Sequence, residues 1–173
     1  MNAQTPIIAE KSPKGWDSVD QEVALWRDSV LQCFCRAEEA VNLTLACLAG
    51  VPARGEAVSL RHLIGQRLDD CSAAVAADGP YAEEGKKALK ALQAFRRHEP
   101  LRVYLAHGVS RIAREKDGCW LLVLRYGAFR ARRLEYATLV VSEAEAGEQL
   151  RLCRADTQRL CAVLANLRKT LES

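Results

Sequence analysis

The sequence has no long apolar run and no Cys-x-x-Cys pair. Its uninterrupted apolar stretches fall short of the roughly 18–20 residues that a membrane-spanning helix needs, so we expect no membrane segment. Residues 1–15 lack the apolar core of a secretory signal. The seven cysteines are odd in number and fall mostly on apolar helix positions, which is typical of buried thiols in a reducing compartment. We therefore expect a cytoplasmic protein with no disulfide framework, no metal site and no cofactor.

A strong charge of either sign is also missing. The formal net charge is only +3, which does not by itself indicate a nucleic-acid-binding protein, so the distribution of charge carries the information. The 173 residues are 49% hydrophobic and 27% charged, an ordinary profile for one globular domain. We predict a flexible tail over residues 1–16 and a single domain over residues 17–173.

Apolar residues recur at helical spacing through the first hundred residues. A wide apolar stripe from Val19 to Leu48 predicts a long first helix that ends at the Gly-Val-Pro sequence of residues 50–52. Ser59 predicts the N-cap of a second helix, and Pro80 suits the first turn of a third. Pro100 interrupts the third helical pattern, so a short new helix should follow it.

That short helix is expected over residues 101–107, with Gly108 as its left-handed stop. After Gly108 the apolar residues alternate as in strands. Turn signals at residues 116–118 and at residues 127–128 divide the alternating segment. The pattern predicts a small antiparallel β-hairpin or meander over about residues 109–141, which is too small to be stable without packing on the helices.

A capping-box pattern over residues 142–145 begins the last predicted helix. Its apolar residues follow an alternating three-and-four repeat, which is typical of a helix that packs along another helix: Leu150, Cys153, Thr157, Leu160, Leu164, Leu167 and Leu171. We therefore predict a mainly α fold, an antiparallel helical bundle of four to five helices with the β insertion before its last helix.

One histidine stands at the boundary between the helical and the alternating patterns. Arg102 and His107 belong to the sequence Arg-x-x-Leu-Ala-His-Gly, residues 102–108. A five-residue step turns a side chain about 140° round an ideal helix, so the two side chains would not converge on a straight helix. A turn at Gly108 would bring them to one site, and so would a second copy of the chain.

This motif resembles the signature of HEPN domains (higher eukaryotes and prokaryotes nucleotide-binding), in which four to six residues separate an arginine from a histidine. The order of predicted elements is similar to that of the family from about residue 19 to residue 171. The resemblance implies a homodimer, and for many members a metal-independent endoribonuclease of toxin or RNA-processing type. It implies Arg102 and His107 as catalytic residues in a cleft between two subunits. It also implies an antitoxin or a nucleotidyltransferase as a protein partner.

The chemistry of RNA cleavage without metal suits these two residue types. The neighbouring 2′-hydroxyl is the nucleophile, and it needs a base, a proton donor to the leaving oxygen and positive charge on the phosphate. Histidine transfers protons near neutral pH, and arginine presents a planar fork to phosphate oxygens. We therefore assign proton transfer to His107 and phosphate binding to Arg102.

A basic neighbourhood surrounds the motif. Arg97, Arg111 and Arg114 are the candidate RNA-binding residues, because cationic surfaces attract backbone phosphates regardless of base sequence. Three aromatic residues are interleaved with the basic ones, and they either stack on bases or face the core: Trp120, Tyr126 and Phe129.

Other hypotheses remain open. A non-catalytic HEPN-like bundle would bind RNA, a nucleotide or a protein, and Val103 favours it because many active members have a polar residue after the arginine. A histidine phosphotransfer module would use His107, although Gly108 and the strand pattern after it argue against a mid-helix histidine. In a purely structural interpretation, Arg102 pairs with Glu99 or with a glutamate of the first helix.

Overall fold

The computed structural model describes residues 15–172, which form five α-helices, a short 3-10 turn and one three-stranded antiparallel sheet. The elements are α1 (Trp16–Ala49), α2 (Ile64–Ala74), α3 (Ala82–Arg96), α4 (Glu99–His107), β1 (Val109–Arg114), β2 (Trp120–Arg130), β3 (Arg133–Ser142) and α5 (Glu143–Glu172). The predicted mainly helical chain with a small antiparallel sheet before its last helix is confirmed.

Of the flexible tail predicted over residues 1–16, all but the last two residues lie outside the described range. Among the helices of residues 15–172, none combines the length and the apolar content of a membrane-spanning segment.

α3 and α4 run antiparallel to α1. The Tyr81 hydroxyl, just before α3, donates a hydrogen bond to the carbonyl of Leu48 near the end of α1, over 2.5 Å. Phe95, near the end of α3, meets Phe34 in the middle of α1, with ring centroids 5.3 Å apart. Residue numbers that rise along α3 therefore meet numbers that fall along α1.

α4 follows the same direction. Arg102 in its middle contacts Glu38 of α1, and Leu105 nearer its end contacts Arg27.

α5 runs in the same direction as α1. The indole N–H of Trp26 donates to the carbonyl of Ala146 over 2.7 Å, and the guanidinium of Arg168 donates to the hydroxyl of Thr44 over 2.8 Å. The chain passes from α4 into the sheet beside the first half of α1, near Arg27. It leaves the sheet beside the same part of α1, near Trp26, so α5 begins there. The antiparallel arrangement expected from the sequence therefore applies to α3 and α4 against α1, but not to α5.

The sheet lies with one face on the helices. Trp120, Leu122 and Leu124 of β2 share one face, as an alternating strand requires, and all three are buried. The ring of Trp120 lies 6.3 Å, between centroids, from that of Trp26 on α1. Each such side chain stabilises the fold by about 1.5–3 kcal/mol when fully buried. The small sheet is therefore stabilised by its contact with the helices.

The other face of the sheet is open to solvent, and we call it the outer face. The strand register places these residues on it: Val109, Arg111, Ala113, Leu121, Val123, Arg125, Gly127, Phe129, Leu134, Tyr136, Thr138 and Val140. β1 pairs only with the first half of β2, so the far part of the β2–β3 hairpin extends beyond β1. None of the outer-face residues is acidic.

The sequence predicts the start of α5 correctly and the start of α2 wrongly. The capping box is confirmed: the Ser142 N–H donates to the Glu145 carboxylate over 2.9 Å, and the Glu145 N–H donates to the Ser142 hydroxyl over 3.3 Å. The predicted cap at Ser59 is wrong, because α2 begins only at Ile64. The backbone N–H and guanidinium of Arg61 both bond to Asp70 of α2, which holds the preceding segment in a non-helical conformation.

Gly108 and Gly127 lie where a side chain would clash with a neighbouring residue, whereas the sequence patterns predict a helix stop at the first and a turn at the second. Gly108 is extended (φ −79°, ψ 138°) and not left-handed, and a Cβ atom there would lie 2.4 Å from the carbonyl oxygen of Tyr104. Gly127 lies inside β2, where a Cβ atom would lie 3.0 Å from the ring of Tyr136. The chain turns four residues later instead, at Ala131 and Arg132, which have φ angles of 45° and 66°.

Candidate functional site

The short helix α4 is held at both of its ends. Pro100 stands in its first turn, where a proline costs no hydrogen bond. Leu101 and Leu105 are buried and anchor the helix on the core. Near the C-terminal end, Arg27 of α1 donates to the carbonyl of Leu105 from Nε over 3.0 Å and from Nη2 as well. This fork satisfies a carbonyl that the helix itself leaves without a partner.

His107 is the last residue of α4, and it is exposed. Its ring lies 6.0 Å, between centroids, from the ring of Tyr126. It borders a depression of about 410 Å³ on the outer face, which we call the His107 depression, lined by His107, Val109, Arg111, Val123, Arg125, Gly127, Tyr136 and Thr138. An imidazole and two guanidinium groups therefore border one open volume, an arrangement suited to a phosphate ester.

Arg102 faces another element. Its Nη2 atom lies 3.0 Å from Oε1 of Glu38 on α1, and the two side chains are 33% and 25% exposed. α4 therefore directs Arg102 towards α1 and His107 towards the sheet, in line with the divergence expected from helix geometry. Within one chain, the two motif residues contact different partners, and the ion pair with a first-helix glutamate is the one that the structural interpretation expects.

Val103 lies between these two residues and borders a third surface. Together with Pro100 and Tyr104 it lines a groove of about 300 Å³ between α4 and the β2–β3 hairpin. The ring of Tyr104 lies 6.3 Å from that of Tyr126, which supports the base of the hairpin. An apolar side chain at position 103 suits this groove.

The three arginines proposed to bind RNA occupy separate places. Arg111 is exposed on the outer face and borders the His107 depression. Arg114 lies on the opposite face, paired across the strands with the buried Trp120, and is only partly exposed. Arg97 follows α3 and lies 3.9 Å from Asp156 of α5. Of the three, Arg111 alone lines the depression that His107 borders.

Arg125 and Tyr136 form a contact on the outer face that the sequence did not suggest. The guanidinium carbon of Arg125 lies 3.8 Å from the ring centroid of Tyr136, a cation–π contact. Their strands pair, so their positions follow from the register, but only the turn at Ala131 and Arg132 fixes that register. The alternation of β2 gives the face of Arg125, and it does not identify the partner on β3.

The other titratable groups of the described residues do not assemble a metal site. Within residues 15–172, no three His, Cys, Asp or Glu side chains are grouped so that they would hold a metal ion. His98 Nε2 lies 3.0 Å from Oδ2 of Asp156, so it links the start of α4 to α5. All seven cysteines are free thiols, and burial raises the pKa of Cys71 and of Cys153 to about 12. These two thiols stay protonated at neutral pH and are poor nucleophiles.

The end of α4 and the sheet therefore present a histidine, two arginines and an exposed tyrosine around one depression. No protein-family model, curated protein or solved structure matches this chain.

Proposed function

We propose that the chain is a HEPN-like helical bundle that binds RNA and cleaves it as a metal-independent endoribonuclease, of toxin or RNA-processing type. The observation that carries this proposal is the position of His107. It is exposed at the end of a well-anchored helix and borders a depression that Arg111 and Arg125 also line. Positive charge next to a proton-transfer group is what cleavage at a phosphodiester requires.

In this proposal His107 removes the proton from a 2′-hydroxyl. The 2′-oxygen then attacks the neighbouring phosphorus, the bond from phosphorus to the 5′-oxygen breaks, and the leaving oxygen takes up a proton. The products are a 2′,3′-cyclic phosphate and a 5′-hydroxyl end. The arginines hold the phosphate and offset the charge that develops on its oxygens.

The separation of Arg102 from His107 supports the idea that the active unit is a homodimer. Arg102 is paired with Glu38 within its own chain. We propose that a second subunit completes the cleft, so that a phosphate competes with Glu38 for the guanidinium of Arg102. An antitoxin or a nucleotidyltransferase remains the proposed protein partner, and the seven free thiols fit the reducing cytoplasm that we propose as its location.

A second candidate function is a non-catalytic HEPN-like protein that binds RNA, a nucleotide or another protein. Two observations favour it. Val103 lines the apolar groove beside α4, and Arg102 is already neutralised by an ion pair. Such a protein would bind RNA with an affinity that falls steeply with salt concentration but would leave the RNA intact.

One experiment separates the two candidates. Purified protein is incubated with mixed RNA in excess EDTA, beside the Arg102→Ala, His107→Ala double variant, and the ends of the products are analysed. Cyclic phosphate ends from the wild type alone support the nuclease. RNA that survives intact with the wild type, or that is cut equally by both proteins, removes the nuclease and leaves the binding protein.

A further inference from the structure

The outer face of the sheet exposes several large apolar side chains to solvent. Val109 is 70% exposed, Phe129 77% and Val140 52%, and these residues lie on three neighbouring strands. Exposed apolar residues that share one continuous face mark an interaction surface, because leaving them in water is unfavourable. A partner that covers this face would remove that cost.

The charged residues of the outer face indicate which charge its partner carries. Arg111 and Arg125 are its charged residues, and no acidic residue lies on it. His107 borders the same face at the end of α4. The partner is therefore expected to be an anion, or a chain of anions, that also carries apolar surface.

The planar groups on this face are suited to stack on nucleic-acid bases. Tyr136 lies against the bare backbone of Gly127, and the guanidinium of Arg125 lies over its ring. Aromatic rings and guanidinium planes are the groups on which proteins stack unpaired bases. The stack of Arg125 on Tyr136 is formed within the protein, so little ordering is left for a ligand to impose.

The spacing of the planar groups suits a short nucleotide segment. Phe129 lies four residues from Arg125 along β2, on the same face, which is about 13 Å at the ordinary rise of a strand. Sheet-type RNA-binding domains stack two or three bases over a comparable surface. A segment that starts at Phe129 and passes Arg125 would lead its next phosphate towards His107 and Arg111.

We infer that the outer face binds a single-stranded segment of RNA, with one base on the Arg125–Tyr136 pair and another on Phe129, and leads the adjoining phosphate to His107. This inference rests on the proposed function, because it takes RNA as the ligand. A duplex keeps its bases stacked on each other and would present only phosphates and hydroxyls to these rings.

Self-association through the outer face is a poor alternative. In a symmetric dimer the same patch forms both sides of the interface, so such a dimer would enclose four arginines, two from each copy. No carboxylate on the face would compensate them. Like charges in an interface oppose that pairing.

The test measures binding separately from cleavage. All proteins carry His107→Ala and are kept in EDTA, and the anisotropy of a short fluorescein-labelled oligouridine is recorded, alone and annealed to its complement. Phe129→Ala and Arg125→Ala are expected to weaken single-strand binding by roughly 5- to 150-fold each, the range for loss of one stacked base. Phe129→Trp should bind at least as tightly as the parent, because it keeps the stacking plane.

Two variants serve as matched controls. Leu25→Ala removes an apolar side chain of similar exposure on α1, and Arg36→Ala removes an exposed arginine of α1. Both should bind the oligouridine as the parent does. Thermal unfolding of every variant establishes that the outer-face substitutions leave the fold intact.

The inference is overturned if Phe129→Ala and Arg125→Ala bind like the controls, or if the duplex binds as tightly as the single strand. It is also overturned if these substitutions change the sedimentation of the RNA-free protein and not its RNA binding, because the face would then be a protein interface. Cleavage by the wild type with unaffected binding would remove the outer-face inference and leave the nuclease. If the outer-face variants bind RNA more weakly but the wild type does not cleave RNA, the nuclease proposal is removed and the outer-face inference stands.

Discussion

The Nη2 atom of Arg102 lies 3.0 Å from the Oε1 atom of Glu38, so the arginine of the Arg-x4-His motif is bound to α1. The histidine of the same motif, five residues later, faces the sheet and the depression beside Arg111. Glu38 therefore competes with any phosphate that approaches Arg102. The ion pair is partly exposed, which makes it weak enough for such an exchange.

Replacement of Glu38 should strengthen RNA binding. In Glu38→Gln the guanidinium of Arg102 loses its carboxylate partner and becomes available to a phosphate. A partly exposed ion pair contributes about 0.2–1 kcal/mol, so affinity should rise by up to roughly fivefold. Anisotropy of a labelled oligouridine measures the change, with Glu39→Gln, the neighbouring exposed glutamate, as the matched control. Equal affinities for the two variants would contradict the proposed role of Arg102.

Replacement of Gly108 should destabilise the turn that places His107. A Cβ atom at this position would lie 2.4 Å from the carbonyl oxygen of Tyr104, so α4 or β1 must shift. We expect Gly108→Ala to lower the free energy of unfolding by about 1–3 kcal/mol. Gly147→Ala is the control, because it lies in α5 with no atom near the added Cβ, and it should raise stability by about 0.5–1 kcal/mol. Urea denaturation of both variants decides the matter, and equal shifts would contradict the close contact at Gly108.

The Arg61–Asp70 contact should make stability depend on pH on the acid side. Burial raises the pKa of the Asp70 carboxyl, but the hydrogen bonds from the side chain and backbone of Arg61 outweigh burial and hold the pKa below its ordinary value. A carboxyl with a lowered folded-state pKa contributes stability above its unfolded pKa, and the contribution is lost as the pH falls through the folded pKa. Asp70→Asn should therefore be less stable than the wild type near neutral pH.

The difference between the two proteins should shrink as the pH falls below about 4, the ordinary pKa of an aspartate. Urea denaturation at a series of pH values measures this difference. A gap between wild type and Asp70→Asn that stays constant into strong acid would show that the carboxylate does not stabilise the folded state through Arg61.

The cysteines should differ sharply in reactivity. Cys35 is exposed, whereas Cys71 and Cys153 are fully buried and have pKa values raised to about 12 by that burial. Iodoacetamide should alkylate Cys35 first in the native protein and leave the other two thiols intact until the chain unfolds. Peptide mass spectrometry with and without urea reads out each site. Alkylation of Cys71 or Cys153 in the native protein at the rate of Cys35 would contradict the packing of α2 and α5.

The sequence predicted the ends of those helices that are determined by residues close by in the sequence. Gly50 ends α1, and the capping box at Ser142 starts α5, because each satisfies backbone groups within a few positions. The alternation of β2 likewise predicted which side chains share a face, since period-two alternation depends only on the strand itself.

Long-range contacts determined what the sequence did not predict. The start of α2 was misplaced because Arg61 bonds to Asp70, a contact with no local signal. Gly127 was interpreted as a turn, although its missing side chain accommodates a ring from the next strand. The direction of α5 follows from the end at which the sheet returns the chain, and helical periodicity carries no information about direction.

The candidate site shows the same division. The sequence placed Arg102 and His107 on one short helix and indicated that they diverge, and helix geometry alone sufficed for that. It offered Glu99 or a glutamate of the first helix as the partner of Arg102 without deciding between them, and the structure selects Glu38. It did not identify Arg125 and Tyr136 as neighbours of His107. Those relationships depend on how α1 and β3 pack against the rest of the chain.

The most direct measurement compares RNA cleavage in excess EDTA by the wild type, His107→Ala and His62→Ala. His62 is an exposed histidine in the segment before α2, so its loss controls for the removal of an imidazole. We expect equal cleavage by the wild type and His62→Ala, with 2′,3′-cyclic phosphate ends. The rate should be lower by roughly 10²- to 10⁴-fold in His107→Ala, the usual contribution of a general acid or base. Cleavage by His107→Ala at the wild-type rate, or no cleavage by the wild type, would contradict this expectation.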